Sequence, residues 1–182
     1  IMPYLFLFIV LLATSAGHAQ DDAQPNLRVL PAPDAPPTYA VFRSEETIKI
    51  DGHLDEKTWQ NSPRIAFIMP WNDPQREGSQ GTTARLLWDA KNLYIAYECA
   101  DPYLDSEVTE HDGPVYTEDA VEIFATPNAG DIGAYFGYEM NINGALLDYI
   151  AFGGGSEWTA NIHPAWQSEG VEIATSYIGT LN

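Results

Sequence analysis

Short apolar runs in which polar and apolar residues alternate dominate the chain from Tyr39 onward. Turn-forming residues separate these runs, and a single segment, LDEKTWQN, predicts a helix of one or two turns. No regular helix separates one run from the next, so the pattern predicts an all-β fold, an antiparallel β-sandwich of jelly-roll-like type. The predicted strands are YAVFR, TIKI, RIAFIM, ARLLW, LYIAYEC, VEIFAT, YFGYEMNIN, LLDYIAF and VEIATSY.

Two of these strands alternate carboxylates and amides with core residues. In VEIF, Val121 and Ile123 point one way, so that Glu122 shares the opposite face with Phe124. In YEMNIN the same period puts Glu139 and Asn141 on one face. If the strands are neighbours, these groups form a patch that can accept from and donate to sugar hydroxyls. A solvated outer face is the alternative.

Several aromatic residues lie where a core does not obviously need them. Tyr116 precedes a strand among Gly, Pro and acidic residues, and an exposed ring there can stack on the apolar face of a sugar. Trp158 and Trp166 flank a glycine-rich stretch and are further candidates. Trp59 and Trp88 follow apolar patterns that predict core positions instead.

Charge narrows the range of partners. The chain has 26 acidic and 8 basic residues, a formal net charge of −18, which disfavours nucleic acid and anionic membrane surfaces. The acidic segment DPYLDSEVTEHDGPVYTED carries no Lys or Arg, and such oxygen-rich loops suit calcium. We take Asp101, Asp105 and Asp112 as candidate calcium ligands, with a plain solvated loop as the alternative. Cys99 is the single cysteine, expected in the core, so an internal disulfide is impossible.

The first residues predict export. The apolar run LFLFIVLLA followed by GHA is typical of a signal peptide over residues 1–19, too short to span a membrane comfortably. A proline-rich linker is expected over residues 20–40, and the β-sandwich over residues 41–182. We therefore expect a secreted or periplasmic protein without membrane insertion after signal removal. The abrupt end suggests that C-terminal strands of the sandwich are missing.

Four ordered segments together resemble family 9 carbohydrate-binding modules, a group also related to the haem- or sugar-binding sandwiches of dopamine-hydroxylase type. They are IDGHLDEKTWQNSP, ARLLWDAKNLYIAYECADP, VYTEDAVEIFATP and YEMNINGALLD. The resemblance implies a β-sandwich with structural calcium, a glycan ligand and frequent covalent fusion to polysaccharide-degrading enzymes. By motif, Tyr116 falls on a sugar-binding tryptophan, Glu122 on a sugar-binding glutamate, and Glu139 where some members have a sugar-binding arginine. The resemblance implies that the family's second tryptophan would lie in strands beyond this sequence.

Three rival functions stay open beside non-catalytic carbohydrate binding: a glycosidase, a haem-binding redox sandwich and a pure interaction or assembly module. A glycosidase would use Glu122 and Glu139 as its carboxylate pair. Its usual E-x-D-x-x-E pattern, however, is one residue out of register at Glu118, Asp119 and Glu122. A haem-binding redox sandwich would take its ligands from Met69, Met140, His53, His111 and His163, although no C-x-x-C-H attachment motif exists.

Overall fold

Strand pairing organises the part of the chain that the computed structural model describes. Residues 38–66, 81–101, 103–126, 133–152 and 162–179 are described in full, and residues 4–12 by their backbone. Most of the predicted linker, the possible haem ligand Met69 and the candidate Trp158 lie outside these residues.

The strands form two sheets. The elements are β1 (Tyr4–Leu12), β2 (Phe42–Arg43), α1 (Lys57–Asn61), β3 (Ile65–Ala66), β4 (Thr83–Trp88), β5 (Asn92–Ala100), a 3₁₀ helix (Val115–Thr117), β6 (Ala120–Ala125), β7 (Ala134–Asn141), β8 (Leu146–Phe152), β9 (Ile162–His163) and β10 (Glu172–Tyr177). The first sheet runs in the order β10-β1-β5-β4-β2, with β3 also paired to β4, and the second in the order β6-β7-β8-β9. The neighbours pair antiparallel except β2 and β4. The prediction of an all-β, largely antiparallel sandwich is confirmed.

The main core is built by alternate residues of both sheets. Ile95 and Tyr97 of β5 belong to one buried cluster with Val121 of β6 and Tyr138 and Met140 of β7. The side of β6 that carries Val121 is therefore the inner one, as the alternation predicts, and Glu122 belongs to the outer face. Met140 is fully buried among these apolar groups, so its role here is packing.

A second apolar cluster covers the other side of the first sheet. Trp59 on α1 is completely buried against Leu87 and Tyr94, which confirms its predicted core position. The segment TIKI was expected to be a strand, but it has no strand pairing and contributes Ile48 to this cluster. The expectation for Trp88 was also wrong: its side chain, at the end of β4, is 37% exposed beside the Arg43 guanidinium.

The N-terminal apolar run forms a strand. Strand β1 lies between β5 and β10, with Leu5 paired to Cys99 on one side and to Tyr177 on the other. The sequence-based expectation put this segment outside the fold. An unbroken apolar run is also typical of a strand that has a neighbour on each side in a sheet. Periodicity alone therefore does not distinguish such a strand from a signal peptide. Removal of residues 1–19 as a signal peptide stays a prediction. Within the described residues, no helix is long and apolar enough to cross a bilayer.

Candidate functional site

The outer face of the second sheet gathers the carboxylates and rings that the alternation singled out. Glu122 of β6 lies directly opposite Glu139 of β7, and Phe124 lies directly opposite Gly137. Directly paired residues on antiparallel strands have Cβ atoms about 4.5–5.5 Å apart. The two carboxyl groups are therefore immediate neighbours, as the sequence predicts.

A glycine makes room for the ring that supports this pair. A Cβ atom at Gly137 would lie 2.3 Å from Cζ of Tyr149, so only glycine lets that ring lie across β7. Tyr149 then donates a hydrogen bond from its hydroxyl to Glu139 Oε1 at 3.1 Å. This contact holds the Glu139 side chain in place on the outer face.

Glu122 and Glu139 differ in their exposure to solvent. Glu122 is exposed, whereas Glu139 is only 7% exposed and its Oε2 atom is buried with no hydrogen-bond partner in the described parts of the chain. Burial raises the pKa of both carboxyl groups, and the charge of Glu122 raises the pKa of Glu139 further, partly opposed by the Tyr149 hydrogen bond. The arrangement favours retention of a proton on Glu139.

Aromatic rings continue the outer face beyond the carboxylates. Phe124 and Tyr135 meet edge to face at 5.7 Å, and Tyr135 and Tyr149 meet edge to face at 6.3 Å. Phe124 keeps 45% of its surface exposed although it lies on a sheet strand. An exposed ring beside a carboxylate is a combination that suits a sugar, which has both apolar C–H faces and hydroxyl groups.

The 3₁₀ helix presents Tyr116 beside this face. Its first residue, Val115, is fully buried in a cluster with Leu147 and Tyr149 of β8. The neighbouring Tyr116 is directed to solvent with 62% of its surface exposed. The core thus anchors the helix while leaving the tyrosine ring available to a ligand.

Asn141 does not occupy the ligand-facing position that the sequence suggested. Its side chain is completely buried, its Oδ1 accepts from the Ala145 amide at 3.0 Å, and its Nδ2 donates to the Val108 carbonyl oxygen at 2.8 Å and to Glu118. These bonds use both ends of the amide. Asn141 therefore holds the loop next to the site and offers no free polar atom to a sugar.

The Glu118 side chain also stabilises this loop. Its carboxylate accepts hydrogen bonds from the backbone amides of Glu107 and Val108 and from the Ser106 hydroxyl. Partial burial raises the pKa of Glu118, but the hydrogen bonds from Glu107, Asn141, Val108 and Ser106 outweigh it, so the net pKa lies below the usual value for Glu. This carboxylate stabilises the loop in its ionised form.

The three candidate calcium ligands do not meet at one point. Asp105 donates its amide to Asp119 Oδ2 at 2.8 Å, and both Asp101 and Asp105 contribute to the raised pKa of Asp119, after burial as the main cause. Asp112 instead lies with His111 and Asp148, whose ligand atoms are within 4.8 Å of one another. The predicted set of Asp101, Asp105 and Asp112 is thus divided between two places, and it does not fit a single calcium site.

Other sequence candidates also change role. Trp166 packs against Phe136 at 5.0 Å and against Tyr138 at 6.5 Å, so it is part of the core rather than a ring for a ligand. Of the residues in the glycosidase pattern, Glu118 accepts hydrogen bonds from backbone amides of the loop, and Asp119 accepts one from the Asp105 amide. Neither therefore forms a catalytic group with Glu122 in this structure.

Sequence reasoning missed Tyr149 and the grouping of His111 with Asp148. The alternation in LLDYIAF would have placed Tyr149 on one face and Asp148 on the other. The contact between His111 and Asp148 depends on a loop that folds back onto β8, which no local pattern encodes.

A family of carbohydrate-binding domains matches most of this chain. The family described as "carbohydrate family 9 binding domain-like" matches residues 50–178, which includes β3 to β10 and the whole outer face. Neither the curated proteins nor the solved structures contain a match to this chain. The match over most of the chain, together with the sandwich and its carboxylate-lined outer face, shows that this chain belongs to the carbohydrate family 9 binding domain-like family.

Proposed function

We propose that this chain is a non-catalytic module that binds a neutral glycan on the outer face of the second sheet. The observation that carries the proposal is the Glu122–Glu139 pair with an exposed phenylalanine beside it and the exposed Tyr116 ring close by. Membership of the family supports carbohydrate binding as such. The choice of face and the ligand class are our inference from the geometry.

Each part of the face has a complementary part in a sugar. Glu122 is exposed and accepts hydrogen bonds from sugar hydroxyls, while the rings of Tyr116 and Phe124 offer apolar surface for the C–H face of a pyranose. Glu139 is held by Tyr149 and is more buried than Glu122. Its protonation state therefore sets the charge next to Glu122. A ligand rich in hydroxyl donors satisfies these acceptors.

Charge argues for a neutral rather than an acidic glycan. The sequence has no Lys or Arg after Lys91, so every residue of the second sheet and its loops is acidic or uncharged, histidines apart. A uronate would approach two neighbouring carboxyl groups without a compensating cation. We therefore expect neutral oligosaccharides to bind better than their uronic acid counterparts.

The cellular setting is also part of the proposal. The N-terminal apolar run and the proline-rich composition that follows it support export to the periplasm or the medium. The family resemblance supports a place in a polysaccharide-degrading system, including covalent fusion to a glycoside hydrolase. Fractionation of cells that express the natural gene, followed by detection of the protein, tests its location.

A glycan array followed by calorimetry tests the proposed function. We expect the purified chain to retain neutral oligosaccharides and to leave them chemically intact after prolonged incubation. Release of reducing sugar that is lost in Glu122→Gln would instead establish glycosidase activity. Absence of any glycan binding would contradict the proposal.

A further inference from the structure

A compact group of polar side chains lies on the opposite side of β8 from Tyr149. His111 Nε2 is 3.3 Å from Asp148 Oδ1 and 3.6 Å from Asp112 Oδ1. The same nitrogen contacts Gln167 Oε1, and Gln167 Nε2 donates to Asp112 Oδ2 at 2.7 Å. The ligand atoms of His111, Asp112 and Asp148 thus lie within 4.8 Å of one another, with the Gln167 side chain against two of them.

A proton alone does not satisfy this arrangement. A histidine Nε2 carries at most one hydrogen, so it cannot donate a well-aligned hydrogen bond to all three neighbouring oxygen atoms at once. If that nitrogen is unprotonated, its lone pair faces oxygen lone pairs, which repel it. A cation between these side chains would interact favourably with the nitrogen and with the carboxylate oxygen atoms at once.

Asp148 supplies the independent indication of a ligand. Its side chain is only 1% exposed, and the Ser168 amide donates to its Oδ2 atom at 2.6 Å. Its Oδ1 atom is buried, points towards His111 and accepts no hydrogen bond from the described residues. A buried carboxylate oxygen without a donor is costly, and metal coordination is one way in which proteins satisfy it.

We infer that His111, Asp112, Asp148 and Gln167 form a binding site for a divalent transition-metal ion of the zinc class. The mixed set of one imidazole nitrogen and several oxygen atoms suits zinc, whereas calcium prefers oxygen ligands alone. The side chains of His111 and Asp112 are 48% and 32% exposed, which gives an ion a route from solvent. Two carboxylates balance the charge of the ion.

The site joins three separate segments of the chain. His111 and Asp112 lie in the loop before the 3₁₀ helix, Asp148 lies on β8, and Gln167 lies between β9 and β10. A bound ion would cross-link these segments and stabilise the folded state, because the ligands are dispersed when the chain unfolds. This inference does not depend on sugar binding.

Calorimetric titration of the chelator-treated chain with zinc chloride tests the site. We expect saturable binding of one zinc ion at this position and an increase in Tm with zinc concentration. His111→Ala should weaken zinc binding at least about ten-fold, since losing even a residue that only supports a ligand costs about 10–100-fold. His163→Ala is the matched control, because His163 is exposed and packs on Phe152.

Cobalt spectroscopy provides a second readout that a general loss of stability would not produce. Cobalt(II) bound at the site should show visible absorption bands that disappear in His111→Ala and persist in His163→Ala. His111 is chosen because it is half exposed, whereas replacement of the buried Asp148 risks unfolding the chain. Equal zinc affinity in wild type and His111→Ala, or calcium displacing zinc at similar concentration, would overturn the inference.

Discussion

Glu139 is the residue that most clearly separates this outer face from ordinary sheet surface. It is nearly buried, directly opposite another acid, and held by the hydroxyl of Tyr149. A carboxyl group in this position is costly when charged, because burial and a neighbouring negative charge both disfavour ionisation. Such an arrangement is expected where a ligand, rather than stability, determines the residue.

Glu139→Gln should raise stability at neutral pH. The pKa of Glu139 in the folded chain is raised, so the folded state is penalised above that pKa and the penalty disappears as pH falls through it. The gain should be about 0.5–1 kcal/mol at pH 8, the scale of a cross-strand charge interaction, and should shrink towards pH 4. Denaturant unfolding of wild type and variant at several pH values measures this, with Glu169→Gln as the exposed control.

Glutamine is preferred to arginine for this test. Because the family resemblance places a sugar-binding arginine at this position in some members, Glu139→Arg is expected to shift ligand preference towards anionic or reducing-end sugars. The structure shows that the position is nearly buried beside Tyr149, where a larger cationic side chain would disturb the packing. If Glu139→Gln gains no stability at neutral pH, the Glu139 carboxyl group does not destabilise the folded state.

Tyr116→Ala should weaken glycan binding by about 5- to 150-fold, which corresponds to about 1–3 kcal/mol for the loss of an apolar ring contact. Stability should hardly change, because Val115 anchors the helix and the Tyr116 ring is exposed. Tyr177→Ala, at a 44% exposed tyrosine on the first sheet, is the control. Unchanged glycan affinity in Tyr116→Ala would remove this residue from the site.

At the residue scale, the sequence predicted which face of a strand a residue occupies better than it predicted what its side chain contacts. Alternation correctly placed Glu122 and Glu139 together, because the period of two is a direct consequence of strand geometry. It could not show that Asn141 is buried, because that depends on the loop of Val108 and Glu118 folding over the strand end. Burial by a distant segment has no local signature.

Among the elements, the hairpin of β7 and β8 provides the support for the outer face. The Tyr149 ring lies across Gly137, and its hydroxyl holds Glu139. Alanine at position 137 would force the ring away, because the new Cβ atom would lie 2.3 Å from Tyr149 Cζ. The hairpin thus links packing on one strand to the position of a carboxylate on its neighbour.

Gly137→Ala should therefore lower both stability and glycan affinity. Overpacking of this kind costs about 1–3 kcal/mol. Tyr149→Phe is the companion variant, since it keeps the ring but removes the hydroxyl that donates to Glu139. Thermal unfolding and glycan calorimetry should show a larger stability loss for Gly137→Ala than for Tyr149→Phe. Wild-type stability in Gly137→Ala would contradict the described packing.

The loop before β6 should be sensitive to acid. Glu118 has a lowered pKa in the folded chain, so its stabilising contribution is present above the ordinary pKa of Glu and is lost as pH falls through the folded value. Glu118→Gln should cost about 1 kcal/mol at pH 7, within the range for hydrogen bonds to a charged group at a partly exposed position, and less below pH 4. Denaturant unfolding at both pH values checks this, with the exposed Glu110→Gln as control. A pH-independent difference would show that the loop does not depend on the ionised carboxylate.

The sequence predicted where most strands lie. It did not predict which segments form the sheet edges or pack over the sheets. Strands β4 to β8 and β10 coincide closely with the apolar runs, because these strands have a clear alternation or a buried environment on both sides. TIKI carries a similar pattern but packs on the sheet without pairing, so its apolar residues serve packing alone. The alternation of apolar and polar residues thus indicates burial more directly than it indicates backbone hydrogen bonding between strands.

For the whole molecule, the excess of negative charge is the main electrostatic property. Basic residues stop at Lys91, while acidic residues continue to Glu172. Bound cations would relieve the resulting repulsion, and calcium on the acidic segment stays a prediction. We expect Tm to rise with calcium chloride, and overlapping melting curves in calcium and in chelator would show that the acidic segment is solvated. Magnesium chloride at the same ionic strength is the control for general screening.

For the whole molecule, we propose that the outer face of this carbohydrate-binding sandwich holds the ligand, and replacement of Glu122 tests that proposal most directly. It is the exposed member of the carboxyl pair, so Glu122→Gln removes a charged acceptor without disturbing the buried side of the strand. Calorimetry with the best neutral oligosaccharide from an array should show affinity at least about ten-fold weaker in Glu122→Gln, the scale of a hydrogen bond to a charged group. Equal affinity in wild type and variant, or tighter wild-type binding of the matching uronic acid, would contradict the claim.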